Sequence, residues 1–228
     1  MYVSNDRDPL ALRFEEFIRN PEFPCVGAKA ALAKSRLETF MARDITSSWD
    51  DLRIYPALLE FVDRYRKEPD LFRSFAVIFE QPQALSEREF EKHLWERLQS
   101  FSDKDDFNAH PYDDSVSQNP DDPHFSLSFG GEAFFVVGLH PNASRPARRF
   151  QKPVMVFNLH AQFERLRAEG RYQKMHDTIM QRDVALAGDT NPMLAPFGTS
   201  SEARQYSGRI VGEDWVCPFS SRKSGGPS

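Results

Sequence analysis

The chain has 228 residues, of which 40% are hydrophobic and 28% charged; Phe occurs 20 times and the net charge is −5. This is the composition of a globular protein long enough to bury a sizeable core, and it argues against a disordered chain or a general nucleic-acid binder. No apolar run approaches the ~20 residues of a membrane span, and the opening Met1-Tyr2-Val3-Ser4-Asn5 has no apolar signal core, so a cytoplasmic protein without a membrane partner is expected.

Asp8-Pro9 reads as a helix start, with Leu10, Phe14, Phe17 and Ile18 on one face and Asn20-Pro21 at the end. Small residues from Gly27 to Lys34 suit a second helix, and Leu37 to Ile45 a strand of imperfect alternation. Ser48 and Asp51 resemble a capping box ahead of a helix through Leu58, Val62 and Tyr65, which Pro56 should kink or divide. Leu71 to Phe79 reads as a strand. Ser86 and Glu89 form a better capping box, followed by the stripe Phe90, Leu94, Leu98 and Phe101. Residues 103–122 carry seven Asp among Pro, Ser and Asn; this is a solvated loop, without the spacing of a calcium loop.

From residue 124 the pattern turns to β. His124 to Phe129 alternates, Gly130-Gly131 suits a turn, and Ala133 to Leu139 and Val154 to Leu159 are apolar enough for interior strands. A long helix is expected from Ala161, divided at Gly170. Residues 187–228 have little periodicity. The sum is a single α+β domain over 1–219, with a mainly antiparallel sheet, flanking helices, a long irregular C-terminal segment and a flexible tail at 220–228.

Two strand ends carry the candidate chemistry. One apolar strand ends in His140-Pro141, followed by a loop with Arg145, Arg148 and Arg149; the other ends in His160. The two histidines meet at one edge of the sheet if their strands run the same way. Three Arg can pair with carboxylates or phosphates. Each feature also has a plain reading as a surface turn with a satisfied side chain. With His124, the histidines allow a zinc-dependent hydrolase, although helical zinc spacings are missing. The parts suit haem better: one axial ligand, many Phe, and cations for the propionates. Cys25 sits at an apparent helix N-terminus, which favours thiolate, so it is a third axial candidate or a nucleophile. Two cysteines cannot build a disulfide framework or a four-thiolate site, and Cys217 reads as a small buried hydrophobe. Arg204, Gln205 and Tyr206 either line a pocket or satisfy loop backbone.

Several strings together resemble the YqcI/YcgG family. They are Phe23-Pro-Cys-Val-Gly-Ala28, Gly138-Leu-His-Pro-Asn-Ala-Ser-Arg145, Phe157-Asn-Leu-His160, Asn191-Pro-Met-Leu194, Arg204-Gln-Tyr-Ser-Gly208 and Trp215-Val-Cys-Pro-Phe219. Some members are haem-dependent N-oxygenases of amino-acid guanidine or amine nitrogens. The resemblance therefore implies a haem-dependent monooxygenase with an amino-acid-like substrate, with a non-catalytic haem or ligand carrier as the alternative. In that reading His140 holds the iron and His160 assists catalysis, with Cys25, Arg145, Arg148 and Arg149 as further cofactor contacts. A cationic substrate nitrogen needs an acidic partner, for which Glu132 and Asp50 are available. No GxGxxG fingerprint is present, so electrons come from an external reductase or peroxide replaces them. A homodimer is left open.

Overall fold

A computed structural model describes residues 8–193 and 198–221. Leu194 and the tail from Arg222 onward lie outside the described residues. Helix α1 spans Pro9–Arg19 and α2 Val26–Ala33; β1 (Leu37–Asp44), α3 (Asp51–Lys67), β2 (Ser74–Gln81) and α4 (Glu87–Phe107) follow. Then come β3 (Leu127–Phe129), β4 (Glu132–Leu139), β5 (Val154–Leu159), α5 (His160–Ala168), α6 (Tyr172–Ala187) and the short α7 (Ala203–Tyr206). The order across the sheet is β1-β2-β5-β4-β3, with β1 and β2 parallel and every other pair antiparallel. The α+β class and the mainly antiparallel sheet match the sequence pattern. No described helix is long and apolar enough to cross a membrane.

Local chemistry explains most of the boundaries. Asp8 Oδ1 accepts from the Leu10 amide at 2.8 Å and caps α1. Ser86 and Glu89 make the expected reciprocal box on α4, with Ser86 N donating to Glu89 Oε2 at 2.8 Å. Gly130 and Gly131 both hold positive φ, 58° and 78°, and turn β3 into β4. Gly170, at φ 67°, divides α5 from α6 as expected.

Four expectations are corrected. The Ser48–Asp51 box does not form. Asp50 precedes α3, and its carboxylate takes the Arg43 amide at 2.6 Å and the Arg43 and Arg53 guanidiniums instead. Helix α3 is not divided at Pro56. Strand β2 starts at Ser74 rather than Leu71, because Phe72 takes a positive φ of 66°. The Asp-rich stretch is not all solvated loop. Helix α4 continues to Phe107, and Asp105 occupies the next position on the Leu94-Leu98-Phe101 stripe, fully buried. It is buried as an acceptor, from Tyr55 Oη at 2.7 Å and the Gly130 amide at 2.8 Å.

The sheet separates two layers. Phe75, Val77, Phe134, Val136, Met155 and Phe157 face α3 and α4 and form the main core. The intervening Ala76, Ile78, Leu139 and Val154 face α1 and the segment around Phe150. Gly138 sits where α4 comes closest. A Cβ there would stand 2.7 Å from both Leu94 Cδ1 and Phe90 Cε1, each fully buried. Gly138→Ala is therefore expected to lose about 1–3 kcal/mol by overpacking in a urea melt. Gly27→Ala, a helical position with only Cys25 Sγ at 3.8 Å, is expected to cost nothing or to stabilise.

Candidate functional site

The second sheet face does not pack solidly. A cavity of about 280 Å³ separates it from the helices above. Its floor is the outward set of strand residues: Leu37, Ser74, Phe135, Val137, Leu139, Val156 and Asn158. Phe14 and Ile18 of α1 and Phe23-Pro24-Cys25 form one wall. Met175, Ile179 and Met180 of α6 form the roof, and Phe163 and Leu166 of α5 another wall. Polar groups enter from few places: Cys25, Arg145, Arg148, His176, Asp183, Glu202 and Gln205 among them. A mostly apolar concavity with a small set of convergent polar groups is the usual form of a small-molecule site.

Cys25 is the N-cap of α2, and its Sγ accepts from the Ala28 amide at 3.4 Å. The expected shift toward thiolate is reversed. Burial raises the thiol, and the Ala28 and Gly27 amides and the Arg148 charge only partly offset it. Without a cation on the sulfur, Cys25 is a neutral thiol.

Arg148 comes to the cavity because β3 is short. Strand β3 pairs β4 only up to Phe134, so the outer edge of β4 beyond it lacks a ladder. Arg148 Nη1 donates to Gly138 O at 2.9 Å, and its Nη2 to Gln205 O at 3.2 Å. Its hydrogen bonds go to carbonyls, and none goes to a carboxylate among the described residues. Loss of water lowers it to about 10, which leaves it a cation at neutral pH. Arg145 is committed differently. Its guanidinium pairs with Asp183 of α6 and with Asp189, and so pins α6 to the β4–β5 loop. Arg149 does not line the cavity; it clasps its own loop through Ala143 O and Ser144 O, both at 2.7 Å.

The two histidines lie elsewhere. Strands β4 and β5 are antiparallel, with Leu139 opposite Val154 and Phe134 opposite Leu159. The condition for a shared edge therefore fails, and His140 and His160 sit at opposite ends, roughly 20 Å apart along the strand. His140 also follows the parity of Val136 and Gly138 and so faces α4, where its ring stacks on Phe90 at 4.4 Å. Burial lowers it to about 4, and its Nδ1 meets no partner. His160 opens α5, is buried, and meets Glu164 Oε1 at 3.2 Å. His124 is exposed beside Asp122. No three His, Cys, Asp or Glu side chains among the described residues group as a metal site.

The acidic candidates fall outside too. Glu132 pairs with Arg66 at 2.8 Å, and Asp50 is held by Arg43 and Arg53. Sequence reasoning missed Glu202, which lines the cavity with a buried Oε2 that accepts no hydrogen bond. Burial pushes its carboxyl up to about 7, against the pull of Arg167 and Ser126. Nothing in the sequence marks it, since it is one acid in an irregular segment. Of the C-terminal trio, Gln205 lines the cavity, Tyr206 is core, and Arg204 reaches the rim of Trp215. Cys217 is the buried small side chain expected, its thiol pushed up to about 12 by burial.

Fold and cavity together define an α+β protein with a mostly apolar chamber on one face of its sheet. The chain belongs to the YqcI/YcgG family, whose model matches residues 14–220. A protein of Bacillus subtilis (strain 168) named Uncharacterized protein YqcI is 25% identical over 150 residues. That stretch is 64% of this chain and 58% of the relative, so the chain spans little more than half its length. No solved structure matches.

His140 should make the fold acid-sensitive. Its folded value lies below the ordinary 6.5, so its contribution is complete above pH 6.5 and is lost as pH falls toward 4. His140→Phe keeps a ring on Phe90 and removes the proton site. Urea melts from pH 7 to 4 are expected to show a shallower loss in the variant, by on the order of 1–3 kcal/mol; parallel curves would refute this role.

Proposed function

We propose that the cavity is the site of a haem-dependent monooxygenase that hydroxylates a guanidine or amine nitrogen of an amino-acid-like substrate. The observation that carries this reading is the pairing, on one apolar chamber, of the Cys25 thiol with a cation, Arg148, that bonds carbonyls and no carboxylate among the described residues. Of the three axial candidates in the sequence, Cys25 alone lines the chamber.

The donor set fits the group. Cys25 would hold the iron, Phe14, Phe23 and Phe135 would flank the macrocycle, and Arg148 would receive a propionate or a substrate carboxylate. Arg145 would serve indirectly, because its charge is already matched by Asp183 and Asp189. The cavity of about 280 Å³ lies just under the roughly 300–1,000 Å³ of small-molecule pockets, so a macrocycle would need a wall to move. The roof is the wall that yields, since Asp183 is the buried side chain of α6 and its Met175 and Met180 are unbranched.

A bound haem supplies dioxygen or peroxide activation and transfer of one oxygen atom to nitrogen. The protein's own part is different. Burial holds Cys25 as a thiol, so holding the iron would require that proton to leave. The apolar floor of Val137, Leu139 and Val156 excludes water from the reacting end. With no dinucleotide fingerprint in the sequence, an external reductase or peroxide completes the electron count.

The test is the absorption spectrum of protein made with added haem precursor. A Soret band is expected in the wild type and in His140→Ala and His160→Ala. Cys25→Ala should lose or displace it, and Arg148→Ala should retain haem less tightly. Hydroxylated product from an amino-acid panel, given reductant or peroxide, separates an enzyme from a carrier. Colourless protein, or an unchanged band in Cys25→Ala, overturns the assignment.

A further inference from the structure

The chamber contains two acidic side chains, and they differ in one respect. Asp183 is neutralised by Arg145. Glu202 differs: its Oε2 is buried without a donor among the described residues, while Ser126 and Arg167 act on the carboxyl from nearby. A buried acceptor left without a donor is costly, and native structures usually keep such a group for a ligand, an ion or a catalytic role.

Its position adds a second observation. Glu202 stands near Ser126, whose hydroxyl donates to Phe134 O at 3.0 Å, so it lies toward the Phe134 end of β4. Arg148 is fixed on Gly138 O, beside Cys25. The chamber thus carries, beside the apolar faces of Phe135 and Val137, the cations Arg148 and Arg167, the latter close enough to act on Glu202, and one acid whose Oε2 has no donor among the described residues.

We propose that Glu202 is the specificity-determining residue of this site and receives the cationic side-chain guanidinium of the ligand. This rests on the reading of the cavity as the substrate site but does not require haem. A ligand cation would supply the donor that Oε2 lacks. The carboxyl held near neutrality by burial is consistent with this: a group that ionises readily only when a positive charge arrives discriminates against neutral isosteres.

The experiment is calorimetric binding of L-arginine and its neutral isostere L-citrulline to the full chain, as isolated and after haem loading. Wild type is expected to favour arginine by roughly tenfold or more, the range of a charge-assisted buried hydrogen bond. Glu202→Gln should bring the ratio to within about twofold while its thermal midpoint stays at or above that of wild type. Glu202→Asp should keep part of the preference. An arginine preference that survives in Glu202→Gln, or a wild type that does not distinguish the two ligands, overturns the proposal. The Soret band reports separately on haem: a colourless protein that still prefers arginine through Glu202 sinks the oxygenase reading and leaves this one standing.

Discussion

Much of the site's geometry follows from how the outer edge of β4 is satisfied. Backbone carbonyls at a buried strand edge need donors, and β3 is only three residues long. The chain meets this need with side chains. Tyr206 Oη donates to Phe134 O at 3.2 Å, and Arg148 Nη1 to Gly138 O at 2.9 Å. The first draws α7 against the sheet and brings Glu202 and Gln205 to the cavity. The second draws the loop after β4 inward and sets a guanidinium beside Cys25. A longer β3 would have used backbone donors and left both positions to apolar packing.

Desolvation then decides the charge states in the chamber. It raises the Cys25 thiol, lowers Arg148 to about 10 and raises Glu202 to about 7. In each case burial is the largest cause, and the neighbouring charges act against it only in part. The Cys25 outcome is instructive, because a helix N-terminus alone argues for thiolate. The amides of Gly27 and Ala28 do act in that direction, but a partial charge of about half a unit does not outweigh loss of water around sulfur. The thiol is therefore quiet even with the Arg148 guanidinium beside it.

Local signals were legible and long-range ones were not. The cap at Asp8, the Ser86–Glu89 box, the Gly130-Gly131 turn and the break at Gly170 each depend on a few adjacent residues, and each stands where the pattern places it. The Ser48–Asp51 motif failed because Asp50 found stronger partners in Arg43 and Arg53. Asp105 looked solvated because composition does not reveal that the Gly130 amide and Tyr55 hydroxyl await an acceptor. The histidines show the limit most clearly. Their strands were correctly placed, but relative direction and face are properties of pairing, and a shift of one residue moves a side chain from one layer to the other. Leu139 lines the cavity and His140 stacks on Phe90 for that reason.

The two layers of the sheet also divide the labour between stability and chemistry. The α3–α4 side is closed by rings in mutual contact, such as Phe134 against Phe157 at 6.1 Å and Phe101 against Phe129 at 6.3 Å. The other side also has rings in contact, such as Phe14 against Phe150 at 5.1 Å and Phe135 against Phe163 at 6.3 Å, but they surround a cavity under a helix held by the Arg145–Asp183 pair. Filling that space with larger side chains would gain packing, and the fold has the apolar residues to do it. A roof held by the Arg145–Asp183 pair and by Arg167 stacked on Tyr172, above a floor left partly uncovered, leaves the second layer less filled than the first. The rigid first layer makes this tolerable, because it holds β4 and β5, and with them the floor, in place whatever occupies the chamber.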